Sequence, residues 1–120
     1  MDHQNLRDRT FQFAVRSIRA AKPLIGDPLG RHLVGQVVRS SGGVASNYLA
    51  ACHAKSRPDF AAKITVVAEE ASETAMWFGL FVEVELITAS EAKPLIQEAL
   101  ELTSIAIASA RTARRPRGEK

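Results

Sequence analysis

What this sequence lacks narrows its reading first. One cysteine in 120 residues leaves no intrachain disulfide and no Cys-cluster zinc module. The three histidines, His3, His32 and His53, fall on the opening segment and near expected helix ends. They supply neither a Ser-His-Asp relay nor the Glu-x-x-His pairs of a di-iron bundle. Gly42-Gly43 has no P-loop lysine beside it, so no phosphate-cradling loop is present. No apolar run approaches the ~20 residues of a membrane span, and the opening MDHQNLRDRT has no apolar stretch of a secretory signal. The expectation is a cytoplasmic protein without membrane contact, metal, cofactor or catalytic activity.

The residues that are present suit one compact all-α domain. The chain is 46% hydrophobic and 24% charged, enough to bury a core. Aromatics are only 6%, and alanine and the longer aliphatics dominate, a helix-leaning alphabet. The net charge of +3 is unevenly placed. Residues 1–63 hold ten Lys/Arg against four Asp/Glu, residues 64–110 one against eight, and residues 111–120 five against one. A basic half is therefore expected to fold against an acidic half, with a basic tail attached.

Four helical segments account for nearly all of the chain. The first is expected over about 8–25, where Phe11, Ala14, Val15, Ile18 and Ala21 follow i, i+3/i+4 spacing and Gly26-Asp27-Pro28 forms a stop. The second is expected over about 30–54, striped by Leu33, Val37, Val44, Tyr48 and Ala51. Its central Gly42-Gly43 costs ~1 kcal/mol per glycine relative to alanine. Either the helix breaks there or another backbone packs close. The unbroken phase of the apolar stripe favours close packing. The third starts at Ser56-Arg57-Pro58-Asp59, with Ser56 as the cap, and runs to about Leu86. The fourth starts near Ser90, or one turn earlier at the Thr88-x-x-Glu91 capping box, and runs to about Thr112. Short loops between long helices give an antiparallel up-down-up-down four-helix bundle over residues 1–113, followed by a disordered basic tail over 114–120. The apolar arc of the fourth helix is wider than one side of a monomeric bundle needs, which points to contact with another subunit.

Folding the second and third helices about residues 55–56 sets Arg39 level with Glu73 and within a turn of Glu69 and Glu70. A charged side chain on an inward stripe needs a partner. Arg39 is therefore expected to pair with Glu73 or Glu70, joined by Gln36 and Ser40, with Asn47 further along the same helix. This network either fixes helix register or binds a small anionic metabolite. In the tail, Arg111, Arg114, Arg115, Arg117 and Lys120 either contact phosphates or complement the helix end. Arg7, Arg9, Arg16, Arg19, Arg31, Lys55, Arg57 and Lys63 either form a basic surface or neutralise the acidic helices.

Several of these patterns, in order, resemble the bacterial four-helix bundle family named for the protein encoded in intervening sequences of 23S ribosomal RNA. They are Phe11-x-x-Ala14, then Leu33-x-x-Gln36-x-x-Arg39-Ser40-x-x-Gly43-Val44-x-x-Asn47, then Ser56-x-x-Asp59-Phe60. The last is Ala68-Glu69-Glu70-Ala71-x-Glu73-Thr74-x-x-Trp77-Phe78. The likeness spans about residues 10–110. Gly43 stands where a serine is usual, and the basic cluster between the second and third helices is shortened to Lys55 and Arg57. The resemblance implies a left-handed bundle that assembles as a ring-like homopentamer with no known enzymatic activity. Relatives that accompany diversity-generating retroelements are basic pentamers that bind nucleic acid and the reverse transcriptase. The partner expected on that basis is RNA, DNA or a nucleic-acid enzyme. The alternative is a purely structural oligomer that organises a protein partner.

Overall fold

The computed structural model describes residues 3–116, and four long helices make up almost all of them. Helix α1 covers His3–Ala21, α2 Pro28–Cys52, α3 Arg57–Glu83 and α4 Ala89–Arg114. Each packs antiparallel on the next, and α1 closes the bundle against α4. The result is a rod of 54 × 21 × 20 Å.

The helix ends show what sets each element. Helix α1 ends five residues earlier at Ala21 than the expected stop at Gly26, because Pro23 cannot continue an α-helix and the chain tightens into a 3-10 turn over Lys22–Gly26. Asp27 then caps α2, accepting from the Gly30 N–H at 2.9 Å, with Pro28 in the first turn. Helix α2 thus starts two residues before the expected Gly30. Gly30 is needed for another reason: a Cβ there would lie 2.9 Å from Leu24 Cβ, so the 3-10 turn folds back over it. Ser56 caps α3 through the Asp59 N–H at 3.1 Å. Thr88 and Glu91 form the reciprocal capping box of α4, each accepting the other's backbone N–H at 3.1 Å. Helix α3 stops at Glu83 rather than Leu86. Glu85 takes φ 64° there, and the Leu86 N–H donates back to Phe81 O at 2.8 Å. This is a Schellman closure with glutamate in the place glycine usually fills, so the sequence carries no stop signal for it.

Helices α3 and α4 share the most extensive contact, and alanine makes it. Buried Ala61, Ala68 and Ala75 recur every seven residues on α3, as do Ala92, Ala99 and Ala106 on α4, with Leu95 and Leu102 between them. That is a heptad seam, and its small residues let the two backbones approach closely.

The core divides into two apolar clusters. One gathers Phe13, Val44, Tyr48, Ile64 and Leu102, and the other Ala21, Val37, Phe78 and Phe81. Between them lies a layer of buried hydroxyls from Ser17, Ser40, Ser41 and Thr74. Thr74 donates to Glu70 O at 2.8 Å, which leaves its oxygen to accept from Ser40 Oγ at 2.7 Å. Ser41 donates to Val37 O at 2.6 Å. Ser17 Oγ is fully buried with no hydrogen-bond partner among the described residues. A buried hydroxyl without a partner loses hydration for nothing in return.

Ser17→Ala is therefore expected to raise stability by about 1 kcal/mol, while Ser40→Ala lowers it by up to about 1 kcal/mol. Urea unfolding of both variants checks this, and a destabilised Ser17→Ala contradicts it.

Candidate functional sites: the Arg39 network and a basic pole

Arg39 and its partners join α2 to α3. The Arg39 guanidinium donates through Nη2 to Glu73 Oε1 and, at 3.2 Å, to Gln36 Oε1, while Nη1 lies 3.7 Å from Glu70 Oε1. Trp77 Nε1 donates to the same Glu73 oxygen at 3.3 Å. The expected Arg39–Glu73 pairing is present. Its setting is not the buried one expected, since the Arg39 side chain is 55% exposed and Glu70 is the enclosed partner at 17%. The long arginine stem lies along the helix pair and leaves its head in solvent.

Gly43 explains why Glu70 is enclosed. A Cβ at Gly43 would overlap Glu70 Oε2 and stand 2.9 Å from its Cδ. The close approach inferred for the Gly42-Gly43 pair is real, but a carboxylate occupies it, not a backbone. Burial, first, and the neighbouring Glu73 charge push the Glu70 carboxyl above its ordinary value.

The other expected members stand apart from Arg39. Ser40 points inward to Thr74. Asn47 donates to Gly43 O at 2.8 Å, bracing its own helix. Glu69 is exposed and acts only as a nearby negative charge on Glu70. Reading the sequence assigned no polar role to Thr74 and no hydrogen bond to Trp77. Spacing of four from Glu73 to Trp77 was the available signal. Two carboxylates, Glu70 and Glu73, meet the one guanidinium, so the cluster has no spare positive charge for an anion, and its bonds tie α2 to α3. Among the described residues no group of His, Cys, Asp or Glu is arranged to hold a metal ion.

The second site is an end of the rod. The antiparallel order brings the α2–α3 loop, the start of α3 and the end of α4 together. Residues 53–63 and 108–116 hold six Lys/Arg against the single acid Asp59. Residues 19–31 and 80–93, at the opposite end, are balanced four against four. Arg57 Nη2 donates to Thr112 O at 3.1 Å and Arg115 O at 3.0 Å, satisfying the open carbonyls that end α4. Arg114 donates to Thr65 Oγ1 at 3.2 Å. Lys63 pairs with Asp59, which also accepts from the Lys55 N–H and is held below its ordinary carboxylate value by Lys63 first and that bond second. Arg111 and Arg115 are exposed. Arg114 belongs to α4 rather than to a tail, and Arg117 and Lys120 lie outside the described residues. Elsewhere, Arg9 crosses from α1 to α4 in a two-point bond to Glu98, at 3.1 and 2.7 Å, and reaches Glu101 at 3.3 Å. The Glu98 bonds raise its already high pKa further.

Two outcomes follow for the Arg39 network. A raised Glu70 pKa means that the folded chain holds more protons than the unfolded one above the ordinary value of 4.5. Stability contributed by this group is therefore present below that value and falls as pH rises through the raised one. Glu70→Gln should remove that fall, seen as a flatter stability–pH profile above 4.5 in urea titrations. Gly43→Ala should recover its helix-propensity gain of ~1 kcal/mol only when Glu70 is also shortened to alanine. Additive single and double variants would contradict the contact.

Known proteins place this arrangement. The chain matches the 23S rRNA-intervening sequence protein over residues 4–108. A crystal structure from Bacteroides thetaiotaomicron VPI-5482, of a protein of unknown function from the S23 ribosomal protein family, superposes with a TM-score of 0.83. It shares 27% identity and covers 88% of this chain and 98% of its own. No curated protein matches. With nearly the whole bundle matched, from α1 to the last turns of α4, the chain belongs to the 23S rRNA-intervening sequence protein family.

Proposed function

We propose that this chain is a non-catalytic homo-oligomeric scaffold, a pentamer as the resemblance implies, whose basic pole engages nucleic acid or an enzyme that works on it. The observation carrying this reading is the six-to-one excess of cations at one end of the rod, against four to four at the other. Local excess, and not the total of +3, is what a polyanion meets. Arg57 and Arg114 are already held in place by backbone and hydroxyl acceptors, so part of the surface is preorganised. Arg111 and Arg115 stand exposed beside them. A ring would repeat this pole once per copy, and several weak contacts linked in one particle add as avidity.

Fluorescence anisotropy with single-stranded RNA and DNA oligonucleotides tests the reading. Affinity should fall steeply with salt, and Arg111→Ala/Arg115→Ala should weaken binding to all sequences alike. The log–log salt slope should drop by about 0.7 for each single-strand phosphate that the variant no longer neutralises. Absence of binding at 20–50 mM salt (about the low end of the usual range) would leave only the structural oligomer.

A further inference from the structure

We infer that Arg57 readies the basic pole for a phosphodiester backbone without itself contacting it: its guanidinium masks the carbonyl end of α4, the platform from which Arg111 and Arg115 reach out. The inference rests on the nucleic-acid reading proposed above and divides the work among the cations of that pole. A helix C-terminus is a poor seat for a polyanion. Its last carbonyls lack partners inside the helix, and the aligned peptide dipoles leave roughly half a negative charge there. The cations of the pole stand on such an end, since α4 closes at Arg114 with Arg115 as its cap residue.

Arg57 removes this obstacle. It is the first residue of α3, set between the Ser56 cap and Pro58. Its Nη2 donates to Thr112 O at 3.1 Å and to Arg115 O at 3.0 Å, so both hydrogens of that nitrogen are turned onto α4. Two acceptors that would repel a phosphate oxygen are thereby covered by a cation. The second bond also holds the backbone of Arg115, where the chain has left the helix for extended geometry at φ −62° and ψ 139°. Arg114 makes the return link, to Thr65 Oγ1 on α3 at 3.2 Å. Thr65 gives its own proton to Ala61 O at 2.7 Å, which leaves that oxygen to accept. Arg57 and Arg114 therefore stitch α3 to α4, while Arg111 and Arg115 stay exposed and free of ion pairs among the described residues. An open groove of about 580 Å³ lies between the start of α3 and the end of α4, lined by Pro58, Ala61 and Ala113 among the arginines. It offers no aromatic ring for a base to stack on, which suits a sugar–phosphate backbone of any sequence. Arg57 is thus a positioning residue, and the contacts belong to Arg111 and Arg115.

Arg57→Lys and Arg57→Gln, both at an exposed side chain, test this. Lysine keeps the charge and loses the planar fork, whereas glutamine loses both. The probe is a fluorescein-labelled oligouridylate, followed by anisotropy across a salt series. Both variants should bind roughly tenfold more weakly than wild type, the scale of leaving one or two long side chains to be ordered on binding. Their log–log salt lines should run parallel to the wild-type line, because no phosphate contact is lost. Amide hydrogen exchange without oligonucleotide should quicken at Arg115, whose N–H donates to Thr112 O at 3.2 Å. A glutamine variant whose slope drops by about 0.7, beside a lysine variant that binds like wild type, makes Arg57 an ordinary phosphate contact and overturns the inference. Two variants that both bind like wild type overturn it as well, and leave the nucleic-acid reading standing. A wild type that binds no oligonucleotide at low salt overturns that reading and this inference with it.

Discussion

The contact between Gly43 and the Glu70 carboxylate sets the frame of this bundle. Two long helices can slide by a turn at little cost when their facing residues are mostly alanine, valine and threonine. A carboxylate seated on a glycine resists sliding by a turn, because Arg39 and Asn47, one turn before and after Gly43, carry side chains. Arg39 closes over the seat from above and Thr74 ties the backbone beneath it to Ser40. The enclosed carboxylate is a poor choice for stability alone, since burial raises the energy of its charged form. What it adds is a contact specific to one register of α2 on α3, since the carboxylate fits only where Gly43 leaves room.

The two apolar clusters on either side of this layer follow from the same constraint. A core rich in alanine has little side-chain volume with which to define a unique packing. The hydroxyl layer supplies definition in its place. Ser40 and Thr74 each satisfy the other at one level of the rod and at no other. Ser17 is the exception, a serine in the same layer with nothing to bond, and the structure offers no physical account of why it is not alanine.

The fold was legible in the sequence to the extent that its signals are local. Ser56 and Thr88 announced helix starts because caps act within one turn, whereas α1 ended at Pro23 and not at the expected Gly26-Asp27-Pro28 stop. The end of α3 was hidden because Glu85 performs the turn usually assigned to glycine. Arg39–Glu73 was legible because antiparallel helices joined by a short loop fix which residues face each other. The pairs Arg39–Glu73, Ser40–Thr74 and Gly43–Glu70 all sit within three residues of the register set by that loop. Depth was not legible. Periodicity gave the face of each residue but could not say that Arg39 would reach out to solvent while Glu70, three residues before its better partner, would be the one enclosed.

Charge shows the same limit and its remedy. Divided along the sequence, the chain is a basic half and an acidic half, whose cations were expected either to neutralise the acidic helices or to form a basic surface. Only Arg9 and Arg39 reach across to the acidic helices in ion pairs among the described residues. The rest of the imbalance survives folding and separates in two directions. Along the rod it leaves a basic pole and a neutral opposite end. Across the rod it leaves a basic layer and an acidic layer. The two directions are independent: the difference along the rod comes from the loop and helix ends gathered at one end, and the difference across it from whole helices. A chain of net charge +3 can in this way present a locally basic end without being a strongly basic protein.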